Sequence, residues 1–261
     1  MASPITLTTD FGARDPYVAA MKGVILRVCP EAPVVDLMHD IAPQDIWEAA
    51  LFLAGAAPWF PVGTVHLVVV DPGVGTDRLP IAVAAGGQVF VCPDNGVLTF
   101  VLRACDFERA HVINNAAFML PAISATFHGR DVFAPAAARV AAGADLASVG
   151  PPLDRIAQLD APEPRTGPGK TVLGEIVHID RFGNAITNIP ESLVCSLRAP
   201  EVHAPGVTVP AISRTYGDAS RDGALALIGS SGYLEIAVNR GSAAAAFGLR
   251  RGMPVRVRQN L

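Results

Sequence analysis

Val68–Arg78 reads V-V-V-D-P-G-V-G-T-D-R, and its interpretation decides the fold. Three consecutive β-branched residues without polar alternation predict a strand covered on both faces, as in the middle of a parallel sheet. Pro72 fixes its own φ, and Gly73 and Gly75 permit backbone shapes that other residues resist, so the chain turns abruptly after Asp71. A carboxylate at the carboxyl end of such a strand stands where open α/β sheets bind ligands. Arg78, further along the loop, can fold back toward it. The same letters also suit a turn-forming Asp followed by a surface Arg.

The segments on either side build a matching architecture. Ile5–Thr9 alternates in β fashion and stops at Asp10-Phe11-Gly12. Asp15 as N-cap and Pro16 at the first helical position predict a helix over Tyr17–Val28, ended by Pro30 and Pro33. Val34–Met38 reads as a short strand closing on His39-Asp40. Asp45 caps a helix running to Ala57, and Thr64–Val70 is the strand of the quoted stretch. The order β-α-β-α-β belongs to a parallel sheet with helices on its faces, hence an α/β fold. Downstream, Pro80–Ala85 and Gln88–Val91 form a hairpin through Gly86-Gly87. A helix follows Asp94-Asn95-Gly96 to about Ala104, and Arg109–Ile113 is another strand. T-F-H-G-R-D at 126–131 leads into an alanine-rich helix, Val132–Ala142, which Gly143 stops.

Between Gly150 and Lys170 the composition changes. Pro151, Pro152, Pro162, Pro164 and Pro168 make a stiff, polar connector. Short strands then recur at Val172–Ile179, Ala185–Ile189, Val207–Ile212, Ala224–Ile228, Tyr233–Val238 and Pro254–Val257. With few helical patterns between them, they predict a small antiparallel barrel or sandwich.

Composition excludes several classes. At 51% apolar and 17% charged, the chain has ample core material for one large domain, or one medium and one small. A net charge of −4 and the lack of a dense Lys/Arg run argue against a nucleic-acid partner. Ala49–Phe60, the longest apolar stretch, is broken by Gly55 and Pro58 and is too short to span a bilayer. The start, M-A-S-P-I-T, has no secretory pattern, so a cytoplasmic location is expected. Cys29, Cys92, Cys105 and Cys195 are scattered without C-x-x-C, which points to buried free thiols rather than zinc or disulfides. G-P-G-K-T at 167–171 imitates the tail of a P-loop but has Pro164 where its first glycine belongs, and no metalloprotease or serine-hydrolase motif occurs.

Three strands end in acidic turns, at Asp10, at His39-Asp40 and at Asp71. In a parallel sheet those ends line one rim, where carboxylates can accept hydrogen bonds from ribose hydroxyls. Asp40 is read as a turn cap, Asp10 and Asp71 as cleft residues. His128 either satisfies backbone at a helix start or joins Asp71 and Arg78 around one water, with Gly129 allowing a close approach. His66 is read as structural, and His111, His178 and His203 show no partner pattern. In the second half, I-D-R-F-G-N-A-I-T-N-I at 179–189 places Asp180, Phe182 and Asn184 on one tight turn. G-S-S-G-Y-L-E-I-A-V-N at 229–239 places two hydroxyls before a strand. Such acceptors, hydroxyls and amides suit a zwitterionic amino acid, and ordinary hairpin turns equally well.

Taken together, T-T-D-F-G-x-x-D-P-Y-V at 8–18, V-V-V-D-P-G-V-G-T-x-R at 68–78, F-H-G-R-D at 127–131, I-D-R-F-G-N-x-I-T-N at 179–188 and S-S-G-Y-L-E-I-A-V-N at 230–239 resemble one family. It is the S-adenosyl-L-methionine hydroxide adenosyltransferases, hydrolytic relatives of the fluorinase and chlorinase that use the same substrate. The blocks occur in family order across nearly the whole chain. The resemblance implies a Rossmann-like amino-terminal α/β domain over 1–160 and a smaller antiparallel β-barrel over 170–261. It also implies a homotrimer with active sites between subunits, and conversion of S-adenosylmethionine and water to adenosine and L-methionine, without metal or other cofactor.

By the same resemblance, Asp71, Arg78 and His128 are the water-activating set, and Asp10 holds the ribose hydroxyls with Asp15 among the substrate contacts. Asp180, Phe182 and Asn184 lie near the methionine or ribose, with Ser230, Ser231 and Glu235 close by. Backbone around Asn239–Ser242 reads the adenine edge. Gln44 stands where the halogenases carry a tryptophan, which weakens the alternative of halide transfer more than hydrolysis, while the intact Asp71, Arg78 and His128 set counts against the other alternative, nucleoside binding without turnover. The leaving group is a neutral thioether, so no general acid is needed, and the task is to align a stripped oxygen behind C5′. A carboxylate at position 71 would repel a halide. Near neutral pH His128 is the better proton acceptor, with Asp71 the other candidate.

Overall fold

The computed structural model describes residues 2–260, which divide into two compact units that meet between Leu159 and Asp160 in the chain. In the first unit the elements are β1 (Ile5–Thr9), α1 (Tyr17–Val28), β2 (Val34–Met38), α2 (Ile46–Ala56), β3 (Val65–Val69), β4 (Pro80–Ala85), β5 (Gln88–Pro93), α3 (Thr99–Ala104), β6 (Phe107–Val112) and α4 (Ala134–Ala141). The sheet order is β2-β1-β3-β5-β4-β6, with β2, β1, β3 and β5 parallel and β4 antiparallel to both of its neighbours.

The central strand behaves as its composition demands. Val65, Leu67 and Val69 pack into a core shared with Met21, Ile25 and the alanines of α4. Val68 and Val70 pack into a second core with Ala49 and Leu53 of α2, Val101 of α3 and Leu98 just before α3. Each large aliphatic side chain buried this way contributes about 1.5–3 kcal/mol. The Asp45 carboxylate accepts from Glu48 N at 2.9 Å and caps α2, worth about 1 kcal/mol. The β4–β5 hairpin turns through Gly86 at φ 57° and Gly87 at φ 74°, the left-handed pair that a two-residue hairpin favours.

Several local expectations are corrected. Asp15 does not cap α1; Pro16 occupies the N-cap position and accepts Ala20 N through its carbonyl, while Asp15 stands exposed. The helix expected at 132–142 begins earlier, as a π-helical turn over Gly129–Phe133 that continues into α4. The helix after Gly96 is only Thr99–Ala104. The start of the stiff connector is also bonded to the first sheet: Leu153 N donates to Ala110 O and Val112 N to Pro151 O at 2.9 Å each, laying Pro151–Leu153 along β6. All four cysteines are free, but Cys195 is exposed rather than buried.

In the second unit, the strands among the described residues are β7 (Arg165–Gly167), β8 (Thr171–Ile179), β9 (Ala185–Pro190), β10 (Pro200–Ala204), β11 (Val207–Val209), β12 (Ile212–Ser213), β13 (Ala224–Ile228), β14 (Tyr233–Val238) and β15 (Pro254–Gln259). They form one strongly curved sheet in the order β11-β10-β15-β8-β9-β14-β13-β12, with β7 on β8. The pairing is antiparallel except between β12 and β13, which run parallel. Val207–Ile212 splits into two strands, and β7 and β10 were not anticipated because Pro200 and Gly167 break the apolar alternation. Short helices α5 (Glu191–Cys195) and α6 (Ala243–Phe247) complete the unit around Ile176, Ile189, Leu234 and Val257.

Candidate active site

Parallel β2, β1 and β3 bring Asp40, Asp10 and Asp71 to one edge of the first sheet. At the end of β3, Asn95 Nδ2 donates to Val70 O at 2.9 Å and fixes the exit of the strand immediately before Asp71. The loop then doubles back. Gly75, at φ 76°, comes so close to Ala125 that a Cβ would lie 2.3 Å from its carbonyl oxygen, so only glycine fits.

This return delivers Arg78 to Asp71. Nε lies 2.9 Å from Asp71 Oδ1 and 3.0 Å from Oδ2, and Nη2 donates to Oδ2 as well. The same Nη2 lies 2.8 Å from His128 Nδ1. The guanidinium sits 5.1 Å over the Phe133 ring, and the Asp71 and Arg78 side chains are 5% and 9% exposed. Thus Asp71, Arg78 and His128 meet, from two distant parts of the chain.

His128 precedes the π-helical turn, a local geometry frequent at functional sites. Gly129 is tight, but what approaches it is Val69, Met21 and Phe127, each 3.3 Å from a hypothetical Cβ. Burial pushes the His128 pKa below its ordinary value and Arg78 pushes it further, against Asp71 and Asp131. Because guanidinium nitrogens only donate, Nδ1 is the acceptor and a neutral His128 carries its proton on Nε2. The expectation that His128 accepts the water's proton therefore meets a geometric obstacle at Nδ1.

Asp131, fully buried, clamps the neighbouring loop. It accepts from Ser124 N at 2.8 Å and from Arg130 Nε at 2.6 Å. Burial pushes its pKa up, but those bonds outweigh burial and hold it below the usual carboxylate range. Beside it, Phe11, Tyr17 and Phe127 pack with ring centroids 5.2–6.0 Å apart. With Ser124, Thr126 and Arg130 they line an open hollow of about 340 Å³. Asp10 Oδ2 accepts from Gln44 N at 2.9 Å.

The second-unit candidates lie on turns and, for Glu235, on strand β14. Asp180 Oδ1 accepts from Phe182 N and Asn184 N, and Oδ2 from Asn184 Nδ2 at 3.0 Å, so this carboxylate shapes its own turn. Phe182 is 77% exposed, whereas Asn184 is buried. Ser230 and Ser231 lie exposed between β13 and β14. Glu235 is buried on β14 and accepts from Tyr216 Oη at 2.6 Å. Burial raises the Glu235 pKa, the Tyr216 bond opposes that, and Asp180 raises it further. Asn239 spends its amide on Ala219 O at 2.8 Å.

Tyr216 and Asn95 escaped the sequence reading. The signal for Tyr216 was available: Thr215 and Asp218 form a capping box around it. His203 does have partners, Glu201 at 3.1 Å and Thr208 at 3.2 Å, and His111 Nδ1 lies 2.9 Å from Gly150 O. Among the described residues no group of three or more His, Cys, Asp or Glu is arranged to hold a metal ion, and no helix is long and apolar enough to cross a membrane.

Comparison with known proteins adds a family. The profile of the SAM hydroxide adenosyltransferase N-terminal domain matches residues 5–150, and that of the C-terminal domain residues 174–256. The (R)-S-adenosyl-L-methionine hydrolase of Thermus thermophilus is 44% identical over 97% of this chain and 99% of its own. That of Salinispora arenicola is 41% identical over 97% of both. A crystal structure of an uncharacterized conserved protein from Thermotoga maritima superposes with a TM-score of 0.91 at 35% identity, covering 98% of this chain and all of the other. A fluorinase of Nocardia brasiliensis is more distant, 28% identical over 97% of this chain and 96% of its own. Matched in both halves, the chain belongs to the SAM hydroxide adenosyltransferase family.

Proposed function

We propose that the protein hydrolyses S-adenosyl-L-methionine to adenosine and L-methionine. The observation that carries this reading is Arg78 Nη2 reaching Asp71 and His128 at once, in a family whose members at 41–44% identity bear the name of that hydrolase. An oxygen–C5′ bond forms as the C5′–sulfur bond breaks, the electron pair stays on sulfur, and one proton leaves to solvent. Positioning supplies several kcal/mol of the barrier reduction, on the order of 7–11 at most. Arg78 takes up most of the roughly four acceptor positions of Asp71. With Nδ1 engaged, His128 offers Nε2–H as a donor to the attacking oxygen, and Asp71 is the acceptor beside it.

In this reading Asp10 binds the ribose hydroxyls, with Asp15 nearby, and Asp180, Phe182, Asn184, Ser230, Ser231, Glu235 and Asn239 serve the amino acid and adenine. The first unit acts as a Rossmann-like domain and the second as a β-barrel. The enzyme works as a cytoplasmic homotrimer with sites between subunits and needs no cofactor, since the thioether departs neutral. Halide transfer is the weaker reading, because the Asp71 carboxylate opposes an anion and the fluorinase relative is more distant.

The test is product identification in ¹⁸O-water with each sulfonium epimer, with and without chloride. Adenosine labelled at its 5′ oxygen, together with methionine, is expected from at least one epimer. 5′-Chloro-5′-deoxyadenosine, or tight adenosine binding with no methionine release, would overturn it.

A further inference from the structure

A β-bulge decides which side chains meet beneath the Asp10 turn. β1 and β2 pair Leu7 with Asp36 but Thr8 with Met38, so Leu37 is an extra residue. In a regular strand residues i and i+3 face opposite sides, and one inserted residue returns them to the same side. Accordingly His39 Nε2 comes within 3.0 Å of Asp36 Oδ1, off the N–H direction, so the contact is electrostatic more than a formed hydrogen bond. Asp36 is itself held by Lys22 of α1 at 2.5 Å.

The other ring nitrogen faces the strand that carries Asp10. His39 Nδ1 lies 2.9 Å from Thr9 Oγ1, and Thr9 Oγ1 accepts from Phe11 N at 3.3 Å. The main chain of His39 takes part too, its carbonyl accepting from Gly12 N at 2.8 Å. Thr9, Phe11 and Gly12 are thereby all tied, directly or through Thr9, to one imidazole-bearing residue, and Asp10 lies among them. Gln44 N holds the Asp10 carboxylate on its other flank.

We propose that His39 is a positioning residue: through Thr9 Oγ1 and its own carbonyl it fixes the Thr9–Gly12 turn in the shape that presents Asp10 to the ribose hydroxyls of a nucleoside. The inference rests on the proposed function, specifically on Asp10 as the ribose contact. It assigns the Asp36–His39–Thr9 chain to recognition of the sugar, not to the bond-breaking step.

Calorimetric affinities for adenosine and 2′,3′-dideoxyadenosine, measured on wild type, Asp10→Ala, His39→Ala and His39→Asn, test it. Wild type should prefer adenosine. His39→Ala should lose at least tenfold in adenosine affinity but less than twofold for the dideoxy compound. His39→Asn, whose amide can occupy the Nδ1 position against Thr9, should recover most of the preference. If His39→Ala does not fold, Thr9→Val, which deletes the hydroxyl at constant shape, carries the same comparison. An undiminished preference in His39→Ala, whether both ligands weaken equally or neither weakens, would overturn the proposal alone and leave His39 a structural residue. Wild-type protein that binds both ligands alike would refute the ribose reading of Asp10, and the proposal with it.

Discussion

Arg78 Nη2 and His128 Nδ1 lie 2.8 Å apart, and only one of them can be the donor. The contact therefore selects a neutral imidazole and is lost when His128 is protonated, which would also set two cations face to face. Since burial and Arg78 both depress the His128 pKa, protonation in the folded protein falls below pH 6.5. The rate profile should show an acid limb with its midpoint below 6.5, and histidine NMR should follow the same titration. Folded-state stability from this group is intact above pH 6.5 and is lost as pH falls from there to the depressed value. Arg78→Gln should move the NMR midpoint up.

Arg78→Lys keeps the charge and loses the planar fork. A lysine cannot serve Asp71 through two nitrogens and His128 through a third contact. Adenosine release should fall by about 100-fold or more, a loss of about 3 kcal/mol. Thermal melting should confirm that the variant folds, because disrupting a buried pair costs on the order of 3–5 kcal/mol when one charge is left alone.

His66 predicts a separate pH effect. It is fully buried, stacked on Phe90 with centroids 4.9 Å apart, and burial pushes its pKa down to about 4. An unfolded histidine titrates near 6.5, so stability should be lost as pH falls from 6.5 to about 4, by on the order of 3 kcal/mol in total. Urea melts across that window should show the slope. In His66→Phe the slope should be smaller.

Gly75→Ala introduces a methyl where the backbone leaves 2.3 Å to Ala125 O, at a φ of 76°. The 71–78 loop must then lift away from the 121–128 loop. Loss of activity beyond tenfold is expected with the far-ultraviolet circular dichroism unchanged. Full activity in this variant would show that the two loops need not dock.

Tyr216→Phe leaves the buried Glu235 carboxylate without the phenol at 2.6 Å. A cost of about 1–3 kcal/mol in urea unfolding is expected. Glu235→Gln should cost less, because an amide oxygen still accepts from Tyr216.

The fold was readable where periodicity and punctuation agree. The apolar run into Asp71, the Gly86-Gly87 turn and the Asp45 cap each carry a local physical cause, and each element is present. The meeting of Asp71, Arg78 and His128 was expected from the family motifs; chain position alone left it open. What could not be read depends on pairing or on closeness. The extra residue at Leu37 exists only relative to β1, so the Asp36–His39 approach left no mark in the letters. The π-helical turn before α4 spans Gly129–Phe133, where a side chain at 129 would press on Val69, Met21 and Phe127, and neither feature has a local sequence pattern. The engagement of His128 Nδ1 by Arg78 is likewise a matter of ångströms that residue type alone does not carry.

The proline-rich strap along β6 has a consequence for colloidal behaviour. β6 is the last strand of its sheet, and Pro151–Leu153 covers its outer side through Val112 N and Ala110 O. Neither Pro151 nor Pro152 owns an amide hydrogen, so the strap terminates the ladder instead of offering a template to another chain. The start of this connector is thus a stopper, and a fragment ending at Gly150 would expose a raw edge prone to intermolecular sticking.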